Sequence, residues 1–189
     1  MPLHIESLIS LTSDELKLKQ ETSLNLKQSA NQLFLESKFN KAIDLYNQAL
    51  LLDGDFNYIL YSNIANCYFH LNDLESCIDY CNQSISLNNS YPKPLYRRIK
   101  ANCILNSVDS LKQVIIDCKQ LLILDPDNQF ALDLLDSVPL KLRLLKDIEQ
   151  QELLEKCKVL GNQFLGKFGL STDMFTSKDG SFVFQSERS

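Results

Sequence analysis

Five polar side chains of this 189-residue chain have the types and the spacing to hold an anion. Lys27 and Asn31 are four residues apart, as are Lys93 and Arg97, so each pair would share one face of a helix. Asn63 lies between the two pairs in the sequence. Lysine and arginine form charge-assisted hydrogen bonds to carboxylates, and an asparagine amide donates without adding charge. The residue types therefore predict that this part of the chain attracts an anion.

Positive charge is concentrated around the second pair. Residues 91–108 contain Lys93, Arg97, Arg98 and Lys100 and no acidic residue, although the chain carries a net charge of -5. Such a stretch could focus the field inside a groove and attract an anion. Pro94 disfavours helical geometry at Lys93, which leaves the direction of that side chain open. The alternative interpretation of these charges is a solvated helix face that binds nothing.

A helical sequence block recurs three times, at residues 41–53, 76–88 and 113–125. Its period matches the unit of about 34 residues that is typical of tetratricopeptide solenoids. Such solenoids present a long concave surface that binds segments of other proteins. The expected fold is all-α, with three helix-turn-helix repeats, a C-terminal capping helix and a short tail.

The expected domain boundaries follow the repeats: a lead-in and helix extension at 1–22, the repeats at 23–57, 58–91 and 92–128, the capping helix at 129–165 and a Phe- and Gly-containing tail at 166–189. Residues 1 to about 12 are expected to be loose, with Ser13 as the first N-cap. Asp125-Pro-Asp is expected to cap the last helix, and Pro139 to interrupt it. About three extra residues near 103–112 predict a longer turn or an extra helical turn in the third repeat.

The composition argues against several classes of protein. Five Gly and five Pro are few for a turn-rich β fold. The net charge gives no reason to expect nucleic acid or an anionic membrane as a partner. No segment approaches the ~20 apolar residues of a membrane span, and the start lacks the basic region of a secretory signal. A cytoplasmic protein is the resulting expectation.

The cysteines and histidines favour a structural role over chemistry. None of the six cysteines forms a Cys-x-x-Cys pair, and Cys77, Cys81 and Cys118 occupy repeat positions that face a neighbouring helix. Cysteine there acts as a small hydrophobe, with redox or metal chemistry as the weaker alternative. The chain has two histidines, His4 and His70, and none of the common catalytic loop motifs. The sequence predicts no enzyme activity, cofactor or metal.

Three segments, 26–31, 61–63 and 93–98, resemble the carboxylate-clamp tetratricopeptide domains of Hsp70 and Hsp90 co-chaperones. In that family a Lys and an Asn of the first repeat, an Asn of the second, and a Lys and an Arg of the third grip the C-terminal Glu-Glu-Val-Asp of the chaperone. The resemblance implies that the peptide carboxylates are bound by Lys27, Asn31, Asn63, Lys93 and Arg97.

From about residue 20 onward the chain is also similar to the tetratricopeptide repeat protein 1 family, including the stretch 158–175 and a later Gly-Ser-Phe-Val-Phe. This similarity implies a non-enzymatic adaptor that binds a chaperone tail, with contact to a signalling GTPase as a further implication. A scaffold for an internal, non-chaperone peptide remains the alternative, and dependence on a free C-terminal carboxylate distinguishes the two.

The tail carries two open interpretations. Phe164, Phe168 and Phe175 could form a second binding surface or pack against the last helix. Asp179-Gly180, followed by Phe182-Val-Phe184, is typical of a β-hairpin turn.

Overall fold

The computed structural model describes residues 3–52 and 57–172, with the side chains of the first helix described from Asp14 onward. Over these residues the chain forms seven α-helices and a short 3-10 turn, which confirms the all-α prediction. The helices are α1 (Leu3–Leu35), α2 (Phe39–Leu51), α3 (Asn57–His70), α4 (Leu74–Leu87), α5 (Pro92–Leu105), α6 (Val108–Leu124) and α7 (Gln129–Leu165).

The first six helices form three pairs, and each pair is joined by a turn with one left-handed residue. Ser37, Asn72 and Asn106 have φ values of 57°, 59° and 52°. After α1 the amide of Lys38 donates to the carbonyl of Leu33, and the same pattern recurs after α3. This arrangement satisfies the last carbonyls of the first helix and reverses the chain within three residues.

Side chains cap the starts of three helices. Asp73 accepts a hydrogen bond from the amide of Ser76, and Ser107 accepts one from the amide of Ser110. At α7 the cap is Asn128, whose Oδ1 accepts from the amide of Ala131 at 3.1 Å. The prediction that Asp125-Pro-Asp provides this cap was wrong, because Asp125 instead ends α6 and accepts from the Asn128 side chain at 2.9 Å.

Small side chains fill the interfaces between the helices. The helix backbones approach closely because fully buried alanines lie between them, among them Ala30, Ala42, Ala49, Ala65 and Ala101. Larger buried residues, such as Tyr46, Ile64 and Leu95, occupy the spaces between them. Three cysteines were expected in such interfaces, and the structure buries all of them completely: Cys77, Cys81 and Cys118.

Two expectations about helix boundaries were wrong. α1 begins at Leu3 and continues through Ser13, because residues 3–12 contain neither Gly nor Pro to end a helix. α7 continues through Pro139, because the loss of one backbone hydrogen bond does not end a long helix. A third expectation is resolved: α6 has 17 residues where α4 has 14, so the extra residues of the third repeat form an additional helical turn.

The chain divides into two compact units, residues 1–139 and residues 140–189. The first contains α1–α6 and the beginning of α7, where Ala131 and Val138 are buried. No helix among the described residues is both long and apolar enough to cross a membrane.

In the second unit the chain turns back after α7. Gly169 has a φ of 69°, and both the amide and the hydroxyl of Thr172 donate to Oδ1 of Asn162. The rings of Phe164 and Phe168 are 5.6 Å apart, and both side chains are exposed. Phe175 and the predicted hairpin lie outside the described residues.

Candidate carboxylate-binding site

The five predicted binding residues come from α1, α3 and α5, the first helix of each pair. α3 connects the other two: it packs directly against α5, and its Asn63 side chain reaches Asn31 on α1. Asn63, Asn66 and Phe69 follow each other at intervals of three residues, so they are successive neighbours along the surface of α3. The site is therefore organised around the middle helix.

At one end of the site the structure brings Asn31 and Asn63 together. Oδ1 of Asn31 accepts a hydrogen bond from the hydroxyl of Tyr46 at 2.6 Å and a longer one from Nδ2 of Asn63 at 3.4 Å. Tyr46 comes from α2 and is 2% exposed. Tyr46 holds the repeat position that Cys81 and Cys118 hold in the other two repeats, and the sequence pattern gave no sign that its hydroxyl contacts the site.

A hollow adjoins these amides. Its wall combines amide groups with apolar side chains, and the lining residues are Asn31, Phe34, Leu35, Tyr46, Asn63 and Asn66. Sequence reasoning also missed Asn66, although its position one turn after Asn63 was a usable signal. Lys27 lies one turn before Asn31 on α1 and is half-buried.

Arg97 places a cation at the α3–α5 side of the site. Its guanidinium carbon lies 5.9 Å from the centre of the Phe69 ring, a cation–π geometry. Burial lowers the pKa of the guanidinium, against a weaker opposing effect of the Cys81, Cys77 and Cys67 thiols. Nε is buried and has no hydrogen-bond partner in the part of the chain that the structure describes. A partly desolvated cation of this kind favours an anion from outside the protein.

Lys93 lies one turn before Arg97, in the first turn of α5. Pro92 and Pro94 occupy positions in that turn where a missing amide hydrogen costs no intrahelical bond. Lys93 therefore has helical geometry despite the proline that follows it. Its side chain is exposed, and Nζ lies 5.9 Å from the centre of the Tyr91 ring.

Arg98 does not add to the charge of the site, contrary to its grouping with Arg97 in the sequence. Its Nε and Nη2 donate to the two carboxylate oxygens of Asp117 on α6 at 2.9 and 2.6 Å. Its Nη1 donates to Oδ1 of Asn82 at 2.5 Å. The charge of Arg98 is therefore neutralised inside the α5–α6 interface.

The arrangement is suited to binding an anion. It combines two amides, one guanidinium and one exposed ammonium group, all of which donate hydrogen bonds. Within residues 3–52 and 57–172, no cluster of three or more His, Cys, Asp or Glu side chains could hold a metal ion. The chemistry available is recognition of carboxylate oxygens by charge-assisted hydrogen bonds.

Known proteins with similar sequences support the tetratricopeptide repeat fold. The tetratricopeptide repeat profile matches residues 58–91. The Hsp70/Hsp90 co-chaperone CNS1 of Saccharomyces cerevisiae is 30% identical over 135 residues, which are 70% of this chain and 34% of that protein. Human RNA polymerase II-associated protein 3 is 31% identical over 115 residues, 61% of this chain and 17% of that protein. The chain thus spans about a third or less of these relatives.

Solved structures of similar domains also show the tetratricopeptide repeat fold, and this chain covers almost the whole length of the matched domains. The first tetratricopeptide domain of Spaghetti (RPAP3), bound to the HSP90 peptide SRMEEVD, is 31% identical with a TM-score of 0.58. The match covers 66% of this chain and 95% of that domain. The first such domain of human RPAP3 is 30% identical with a TM-score of 0.58, over 68% of this chain and 98% of that domain. With its helix pairs, its sequence repeat and these similarities, the chain belongs to the tetratricopeptide repeat family.

Proposed function

We propose that this protein is a non-enzymatic adaptor of the co-chaperone type, which binds the acidic C-terminal peptide of Hsp70 or Hsp90. The observation that carries the proposal is the half-buried guanidinium of Arg97, which is partly desolvated and forms no ion pair among the described residues. The carboxylates of a C-terminal Asp would supply a counter-charge at the part of this guanidinium that remains accessible. Lys93 would add charge, and Asn31 and Asn63 would contribute amide donors from the other side of the groove.

The energetics suit a reversible adaptor. Each hydrogen bond to a charged group contributes roughly 1.5–3 kcal/mol net. Several of them, less the cost of association, correspond to micromolar affinity, or about -8 kcal/mol. The solved complexes of similar domains with HSP90 and HSP70 peptides support the choice of ligand.

The proposal also includes a role for Lys27 and the boundaries of the three repeats. We propose that Lys27 and Asn31 are the residues that the first repeat contributes to the carboxylate site. We also propose that the three repeats extend over residues 23–57, 58–91 and 92–128. We also propose that the protein is a cytoplasmic adaptor of the tetratricopeptide repeat protein 1 family, on the resemblance of residues 158–175 to that family. For such an adaptor the alternative partner is a signalling GTPase. Binding of that partner would not depend on a free C-terminal carboxylate.

The test is a titration with a labelled peptide ending in Met-Glu-Glu-Val-Asp, beside the same peptide amidated at its C-terminus. We expect micromolar binding of the acid and a loss of at least about tenfold on amidation, since one charge-assisted bond accounts for that factor. Arg97→Ala should weaken binding similarly, whereas Lys100→Ala, an exposed change on the same helix, should not. Equal binding of both peptides, or of neither, would remove the proposed function.

A further inference from the structure

We propose that Tyr46 is a positioning residue for the carboxylate site: its hydroxyl fixes the side-chain amide of Asn31 so that the amide nitrogen faces the bound carboxylate. This inference rests on the proposed function and adds a residue from the second helix of the first pair. Tyr46 itself would not touch the ligand carboxylate; it would act through Asn31.

The hydrogen bonds around Asn31 determine which end of its amide faces outward. Two donors, the hydroxyl of Tyr46 and Nδ2 of Asn63, converge on the same atom of Asn31. With Nδ2 of Asn63 facing Asn31, the atom that accepts both hydrogen bonds is the carbonyl oxygen of Asn31. A flipped amide would place an N–H2 group against the Asn63 N–H2 group and lose that contact. The observed orientation leaves the nitrogen end of Asn31 for another acceptor.

The two contacts are not equal. The Tyr46 hydroxyl lies 2.6 Å from Oδ1 of Asn31, whereas Nδ2 of Asn63 lies 3.4 Å away. The Tyr46 bond therefore has the distance of a good O–H···O hydrogen bond, and the Asn63 contact is close to the outer limit for an N–H···O bond. Of the two groups, Tyr46 holds Asn31 more firmly.

Tyr46 is itself well fixed. Its ring belongs to the core cluster that contains Ala30, Ile43 and Leu60, so packing sets the position of its hydroxyl. Burial raises the pKa of this phenol well above its ordinary value of 10.0. The hydroxyl therefore keeps its proton and remains a donor throughout the neutral pH range.

The orientation matters because a carboxylate binds to one end of the amide and is repelled by the other. A free Asn amide can present either its nitrogen or its oxygen. With its oxygen turned toward a carboxylate, Asn31 would oppose binding. Removing the Tyr46 hydroxyl makes that orientation accessible and also removes the preorganisation of the donor.

A double-mutant cycle on the full chain tests this coupling. Tyr46→Phe keeps the ring and removes the hydroxyl, and Asn31→Ala removes the amide. We expect Tyr46→Phe to weaken binding of the acid peptide by about 3- to 10-fold, the range for one neutral hydrogen bond. In the Asn31→Ala background the same change should alter affinity by less than about twofold, because its target is absent.

Tyr80→Phe on α4 is the control, because it also removes a tyrosine hydroxyl, here from a half-buried side chain on a helix that carries none of the five proposed site residues. It should leave the affinity unchanged. Comparing the unfolding midpoints of the two variants separates a loss of stability from a loss of positioning. Tyr46→Phe should, in addition, reduce the ratio of affinities for the acid and amidated peptides, which a merely structural role would not change.

The outcomes separate the two claims. If wild type binds the acid peptide and Tyr46→Phe has equal effects in both backgrounds, the positioning role is overturned and the proposed function stands. Unchanged affinity of Tyr46→Phe in the wild-type background would overturn it as well. If wild type fails to bind the acid peptide, the proposed function and this inference are both overturned.

Discussion

Arg98 forms a two-point ion pair with the fully buried Asp117, while the adjacent Arg97 has a buried Nε with no hydrogen-bond partner among the described residues. Consecutive residues of an α-helix point about 100° apart, so the two guanidinium groups leave α5 in different directions. The charge of Arg98 stabilises the contact between α5 and α6, and the charge of Arg97 is available to a ligand. The difference yields opposite predictions for the two arginines.

The Arg98–Asp117 pair should be important for stability. Asp117→Ala leaves the Arg98 guanidinium, which is 12% exposed, without its carboxylate partner. Breaking a buried ion pair in this way typically costs 3–5 kcal/mol, so we expect a loss of about 3 kcal/mol in the free energy of unfolding. Urea denaturation measures this loss.

Peptide titration provides the second readout for Asp117→Ala. Under conditions where the variant is folded, its affinity for the acid peptide should stay within about threefold of wild type, since Asp117 lies outside the groove. Asp109→Ala is the control, because its Lys112 partner is exposed; such pairs contribute about 0–1 kcal/mol. Equal losses of stability in the two variants would contradict this account.

Arg97 should show the reverse behaviour. Arg97→Met keeps an apolar stem of similar length and removes a desolvated charge that has no carboxylate partner in the described structure. We expect the free energy of unfolding to stay the same or to rise by about 1 kcal/mol, as when buried charges are replaced by apolar groups. Binding of the acid peptide should fall at least tenfold. A variant that is clearly destabilised would show that Arg97 serves the fold and not the site.

Binding should weaken as salt is added. The ammonium group of Lys93 is exposed, and its attraction to a carboxylate is screened over about 8 Å at physiological ionic strength. We expect a steady decrease in affinity from about 0.05 M to about 0.5 M salt, and a smaller decrease for Lys93→Ala. Titrations across this series measure the slope. An affinity that is constant across the series would contradict the electrostatic account.

The protein should lose stability in alkali because of buried thiols. Burial raises the pKa of Cys67 from an ordinary 9.0 to about 12. The unfolded chain then releases this proton at a lower pH than the folded one. The contribution to stability is complete below about pH 9 and is lost as the pH rises toward 12, with a slope of up to about 1.4 kcal/mol per pH unit.

Urea midpoints between about pH 8 and about pH 11 test this thiol effect. Cys67→Ala should flatten the dependence relative to wild type. Cys157→Ala is the control because this cysteine is exposed, and it should leave the dependence unchanged. Identical slopes for wild type and Cys67→Ala would show that this thiol does not contribute.

Much of the fold could be predicted from periodicity. The block that recurs at residues 41–53, 76–88 and 113–125 predicts one helix in each repeat, and it coincides with α2, α4 and α6. The five proposed binding residues were selected from their spacing on helix faces together with the resemblance to carboxylate-clamp domains. What periodicity cannot show is which charges the fold itself uses: Arg98 and Asp117 are 19 residues apart, and their pairing depends on how α5 packs against α6.

Two further features lay beyond sequence reasoning for related reasons. Tyr46 occupies a core position of the repeat, and the pattern reports its ring but not the reach of its hydroxyl to Asn31. The path of α7 through Pro139 depends on the length of the whole helix, whereas the proline rule considers one hydrogen bond at a time. Both are consequences of packing and context that a local pattern does not contain.

The most direct test of the central claim compares the ratio of affinities for the acid and amidated peptides in wild type and in Arg97→Met. If Arg97 binds the terminal carboxylates, wild type should prefer the acid by at least about tenfold, and the variant by less than about threefold. The same large ratio in both proteins would show that the carboxylate is recognised without Arg97 and would contradict the account.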